Sequence, residues 1–149
     1  MLSMFHNIPG EKKMIGVAPA VFKREVLVEF PFDHFITSTI DDTDLIFRVS
    51  KSGKYRIGIL ESTVQQNHFG NIRDYVSKFR WYGKGDGEFM TKHPERALSM
   101  IFHLSIRYPG IYALKCVLRG KPAGAVFCAL QGVVRLIAAL TRVVSLKFS

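Results

Sequence analysis

The sequence predicts an α/β unit followed by a basic, apolar helical tail, and three observations carry that expectation. Apolar residues make up 48% of the 149 positions, enough for one ordinary domain with a real core. Between residues 14 and 90, short strand-like and helix-like patterns alternate. Beyond Glu95 there is no Asp or Glu, while Arg96, Arg107, Lys115, Arg119, Lys121, Arg135, Arg142 and Lys147 stand among mostly apolar residues. The formal charge of +9 therefore belongs to the tail, and the first 95 residues carry only about +1. No basic and aromatic stripe marks one sheet or helix, so no nucleic-acid partner is expected.

The elements follow in order. The run MIGVAPAVFKREVLVEF reads as a short buried strand leading into a helix around residues 23–29, which Pro31 stops. A second helix takes Asp42 or Thr43 as N-cap, carries an apolar stripe of Leu45, Ile46 and Val49, and ends at Gly53, which suits the left-handed C-terminal position. Alternation from Tyr55 to Leu60 predicts a half-buried strand, with an extended edge over Thr63 to Gln66. Asn71 caps a third helix, in which Ile72, Tyr75, Val76 and Phe79 recur at helical spacing. The glycines of YGKGDGEF are expected to end it in a flexible loop able to gate a site.

Residues 97–118 and 122–146 are two apolar helical stretches separated by Arg-Gly-Lys. In the second, Val126, Leu130, Val133, Ile137, Leu140 and Val144 share one side, and Gln131, Arg135 and Arg142 another. This amphipathic helix is expected to lie on an anionic membrane surface, or to pack against it as a helical hairpin, rather than cross it, because each mid-segment arginine costs about 2.5 to 3.5 kcal/mol at the bilayer centre; for residues 97–118, with only His103 and Arg107, spanning stays open. Pro109-Gly110 is expected to interrupt the first stretch. Cys116 and Cys128 have no ligand spacing and read as small buried hydrophobes in a reducing compartment. The N-terminus lacks a basic segment followed by a continuous apolar run, so no secretory signal is expected and the chain is placed at the cytoplasmic face.

The chemistry-bearing cluster is Asp41, Asp42 and Asp44, three carboxylates in four positions. Carboxylates so close repel, so together they call for a counter-ion, a metal or a raised pKa on one of them. The structural alternative is that Asp42 caps the helix, Asp44 complements its dipole and Asp41 stays solvated. Asp42-Thr43-Asp44 also spells DxD, a pattern that holds a divalent cation on a nucleotide diphosphate.

The order IGVAPAVFKREVL, FPFDHFITSTIDDTDLIFRVSKSGKYRIGILESTVQQNH, YVSKFRWYGKG resembles the acceptor-side half of family 2 glycosyltransferases, inverting enzymes of the GT-A fold that use nucleotide-sugar donors. The resemblance covers about residues 14–90 and extends weakly into the tail. It implies an incomplete GT-A-like α/β fragment over residues 1–95 and a membrane-associated helical tail over 96–149. Asp41 and Asp42 match the family's acidic pair, and Asp42 the carboxylate that acts as general base; Asp41 replaces a more usual Glu. Asp33 matches a loop aspartate of structural role. His68 matches a histidine that helps bind the metal or diphosphate, with Asn67 at a commonly basic position. Ser77 to Trp81 resembles the QxxRW motif of processive polysaccharide synthases, with Ser77 at the Gln position. There Arg80 would meet a diphosphate and Trp81 would stack on the acceptor sugar.

The resemblance further implies a divalent cation, magnesium or manganese, a nucleotide-sugar donor, and a lipid-linked or polysaccharide acceptor. It also implies a strand-rich donor-binding half, without which this chain neither binds donor tightly nor turns over. The alternative from the residues alone is a non-catalytic peripheral membrane module.

Overall fold

The computed structural model describes residues 10–12, 20–59 and 70–148. Their contacts divide them into two compact units, one of residues 10–12, 20–34 and 41–59 and the other of Phe35–Ile40 and residues 70–148. The boundary expected at residue 95 thus falls inside the second unit.

In the first unit, strands β1 (Gly10–Lys12) and β2 (Ile57–Ile59) pair antiparallel, with Gly10 opposite Ile59. Helix α1 (Arg24–Glu29) ends before Pro31, which has no N–H to continue the ladder. Helix α2 (Asp41–Ser52) buries Leu45, Ile46 and Val49, the stripe read from the sequence, and Gly53 takes the left-handed conformation at φ +67°. Val26, Leu45 and Val49 form the core, with Phe22, Leu27, Phe30, Tyr55 and Ile57 packed against it. At its edge the Glu29 carboxylate accepts from the Lys54 ammonium and, at 3.0 Å, from the Tyr55 hydroxyl.

The second unit is helical. Helix α3 (Ile72–Lys92) starts at Asn71, whose side chain accepts from the Asp74 amide at 2.9 Å. Pro94 opens α4 (Pro94–Phe102), which runs through a π-helical segment (His103–Tyr112) into α5 (Ala113–Leu118). Pro109 therefore does not interrupt this stretch: it sits inside the wider π turn, the kind of ladder irregularity that accommodates a residue lacking an N–H. Gly120, at φ +68°, turns the chain into α6 (Pro122–Lys147). Met90, Leu104 and Ala139 centre the core where α3, the π segment and α6 meet.

The predicted α/β, GT-A-like fold is overturned. Among the described residues the strands are two three-residue pieces in one antiparallel pair, and the architecture is mainly helical. An α/β layer needs a sheet broad enough for helices to cover. The strand expected before the helix at residue 23 lies outside the described residues except for 20–22, which are not strand, and the edge at Thr63 to Gln66 lies outside them altogether.

The glycine loop is also corrected. Helix α3 runs straight through Gly83, Gly85 and Gly87 to Lys92. A Cβ at Gly83 would lie 2.5 Å from the Arg135 carbonyl oxygen, and one at Gly87 2.5 Å from that of Ala139. At Gly85 the obstacle is the Thr39 carbonyl oxygen, 2.2 Å away. These glycines exist for close backbone approach, not for chain reversal, and small residues four apart are a known device for bringing helices together.

Candidate functional site

Two groups of acids occupy very different settings. At the head of α2, Asp41 and Asp42 lie in the first turn, where carboxylates complement the helix dipole. Asp41 Oδ1 accepts from the Asp42 amide at 3.0 Å, and Asp42 Oδ1 accepts from the Thr43 amide at 2.6 Å and its hydroxyl at 3.3 Å. The residue before them, Ile40, is buried and adopts φ +67°, a left-handed conformation that costs a β-branched residue on the order of 1–3 kcal/mol. The helix begins at Asp41, so Asp42 and Thr43 lie inside it and not at the cap position read from the sequence.

Half-buried, the Asp42 carboxyl is pushed above the ordinary aspartate value by burial; bonds from Thr43 oppose that, and the charge of Asp41 adds to it. Asp44 is fully buried, accepts from Arg48 Nε at 2.8 Å, and the same guanidinium reaches the Pro31 carbonyl at 2.6 Å. Among the described residues no cluster of three or more His, Cys, Asp or Glu side chains could hold a metal ion. His68, the metal or diphosphate contact that the resemblance implies, lies outside the described residues.

The second group, Asp86 and Glu88, stands on α3 facing α6. Both are fully buried. Asp86 receives both Nε and Nη2 of Arg135 at 2.7 Å, a bidentate fork. Glu88 Oε1 receives Arg142 Nε at 3.0 Å and Nη2 at 2.7 Å. Glu88 also accepts from the amides of Thr37 and Ser38 at 2.9 and 3.1 Å and from their hydroxyls at 2.9 and 3.2 Å. Burial pushes Glu88 up, but the bonds from Ser38, Thr37 and Arg142 outweigh it and hold the carboxyl below its usual value. For Asp86 burial wins over Arg135 and the shift is upward.

These pairs reverse the expected orientation of α6. Arg135 and Arg142 do not form a stripe offered to lipid; they point into the unit. The opposite side is the free one. Val126, Val133, Ile137, Leu140 and Val144 are all exposed, and at 100° per residue they fall within about 60° of one another. Leu98, Phe102, Ile106, Leu114, Val117 and Leu118 are likewise exposed on the preceding helices. Helix α6 is long and apolar enough to associate with a membrane, with an 18-residue window of mean hydropathy 1.9.

Beside that face, α3 and α6 enclose a groove of about 440 Å³ lined by Arg80, Lys84, Val134, Ile137, Ala138, Thr141, Arg142 and Ser145. Arg80 and Trp81, paired by the sequence motif, separate here: Arg80 lines the groove, whereas Trp81 is not among its lining residues, stands 48% exposed and stacks on Tyr82 at 5.8 Å. Lys84, Asp86 and Glu88 were missed in sequence because they fell in the presumed loop. The signal was present in Gly83 and Gly87, four apart and therefore on one helix face.

No family model, curated protein or solved structure matches the chain.

Proposed function

We propose that the chain is the membrane-surface, acceptor-side part of an inverting glycosyltransferase that moves a sugar from a nucleotide-sugar donor to a lipid-linked or polysaccharide acceptor. The observation that carries this reading is the Asp42 carboxyl, half-buried beside Asp41 and raised above its ordinary value, in the acidic-pair sequence that resembles the family's base. Inverting transfer needs one carboxylate to take the acceptor hydroxyl's proton while the sugar leaves its diphosphate, and a raised pKa makes that carboxylate a stronger base. The exposed indole of Trp81 offers a flat face to a pyranose. The apolar face of α6 holds the chain at the cytoplasmic face of the membrane, where a lipid-linked acceptor resides.

The test is sugar transfer by the chain in vesicles, alone and joined to a nucleotide-sugar-binding domain. Asp42→Asn is expected to lower turnover by at least about a hundredfold with little change in helical content by circular dichroism. Near-wild-type turnover would remove Asp42 from the role of base.

A second reading, a non-catalytic membrane module, is favoured by the bonding of Asp42, whose carboxylate accepts only from Thr43 among the bonds given above. Vesicle binding with no transfer in either preparation would select it.

A further inference from the structure

The groove between α3 and α6 has one charged and one apolar wall. On the α3 side stand Arg80 and Lys84, one helical turn apart and both exposed. Among the described residues no carboxylate lines it, and its third cation, Arg142, is already held by Glu88. On the α6 side stand Val134, Ile137 and Ala138, and Ile137 belongs at once to the groove and to the exposed apolar face. Thr141 and Ser145 follow Ile137 at intervals of four along the same wall, so the lining grades from apolar to polar. An anion alone would use the cations and leave the apolar wall wet; a hydrocarbon alone would leave two cations unmatched. A molecule with a phosphate head and an acyl chain satisfies both.

We propose that this groove binds the phosphate headgroup of an anionic membrane phospholipid, with Arg80 and Lys84 on the phosphate and the acyl chain laid along Ile137 onto the apolar face of α6. The proposal rests on the membrane-surface reading of the second unit and adds a specific lipid site to it. It is independent of the role given to Asp42.

The experiment has two arms, both on the full chain. In the first, the chain is pelleted with neutral phosphatidylcholine vesicles, which reads the apolar face alone. In the second, it is titrated calorimetrically with dihexanoyl phosphatidic acid below its micellar concentration, which reads the groove. Wild type is expected to bind one short-chain lipid. Arg80→Gln/Lys84→Gln should weaken that binding about thirtyfold, from roughly a fivefold loss per cation. Thr141→Trp, which leaves the charge unchanged and fills the exposed groove, should abolish it. Both variants should pellet with neutral vesicles as wild type does, and their thermal unfolding should match wild type.

Short-chain lipid binding that survives either variant, or is absent from a wild type that pellets with neutral vesicles, overturns the groove assignment alone. A wild type that fails to pellet with neutral vesicles overturns the membrane reading beneath it. Full competition by millimolar inorganic phosphate would make this a free-phosphate site and overturn the lipid assignment.

Discussion

The chain carries two acidic clusters, and they solve the same electrostatic problem in opposite ways. At the head of α2 the three carboxylates part company: Asp41 stays in water, Asp42 is half-buried with a raised pKa, and Asp44 is buried on Arg48, whose other nitrogen reaches a carbonyl. On α3 the two carboxylates are both withdrawn from water, and each is met by a guanidinium from α6. The difference teaches where chemistry can reside. A carboxylate with a saturated bidentate partner is a fastener, because its lone pairs are spent and its charge is matched. One left half-desolvated beside a like charge, with no cation on it, keeps an oxygen that could still take a proton.

The largest expected effect breaks the fastener. Asp86→Ala leaves Arg135 buried without its carboxylate, and removing one member of a buried pair costs about 3–5 kcal/mol. Urea unfolding should lose the second unit first. Asp86→Leu combined with Arg135→Met should recover most of that loss, since apolar replacement of both partners is often neutral. If the double variant is no better than the single one, Asp86 contributes through something besides the pair.

Next come the glycines that let the pairs form. Gly87→Ala sets a Cβ 2.5 Å from the Ala139 carbonyl oxygen and 2.8 Å from the Arg142 Cβ, both held by helix backbone. The helices must separate, and overpacking of this kind costs about 1–3 kcal/mol, against a gain of up to about 1 kcal/mol from alanine's better helix propensity. A net loss in the urea midpoint is expected. Gly53→Ala, in a left-handed turn with no atom within 4 Å of its Cβ, is strained by conformation alone and serves as the contrast.

The contrast also explains what could be read in advance. Helix α2 was legible because its signals are local: acids in the first turn, a stripe at 45, 46 and 49, and glycine after the last turn. Helix α3 was legible only at its start, where Asn71 caps it. Its second half was hidden because a glycine that permits a turn and a glycine that admits a neighbouring backbone look alike in sequence; only the oxygens of Arg135 and Ala139 distinguish them. The polar stripe of α6 was ambiguous for the same reason, since a helix face rich in arginine reads identically whether water, lipid or a carboxylate lies opposite. Asp42 could be singled out from its motif, but its raised pKa depends on burial that no local pattern encodes.

A smaller effect is expected at Asp44. Its partner Arg48 lies partly exposed, with its side chain at 23% of full accessibility, so in Asp44→Ala the stranded guanidinium can turn to water. The loss should be about 1 kcal/mol, well under that for Asp86→Ala. Equal losses at the two sites would mean that exposure of the cation does not set the cost.

The smallest effects are in pH, where Glu88 and Asp42 should respond with opposite signs. Glu88 has a folded pKa below its ordinary 4.5, so the stability it contributes is complete above that value and is lost as pH falls through its folded pKa. Relative to Glu88→Gln, wild type should therefore lose its advantage as pH drops from about 5 downward. Asp42 has a folded pKa above its ordinary 3.8, so its ionised form is a penalty at neutral pH that is relieved as pH falls through the raised value. Asp42→Asn should be slightly more stable than wild type at pH 7, and that margin should shrink on acidification. Urea midpoints of wild type and both variants between pH 7 and pH 3 measure the two trends. If the Asp42→Asn margin is absent at pH 7, the carboxylate is better solvated than its position at the head of α2 implies, and its claim to be a strong base falls with it.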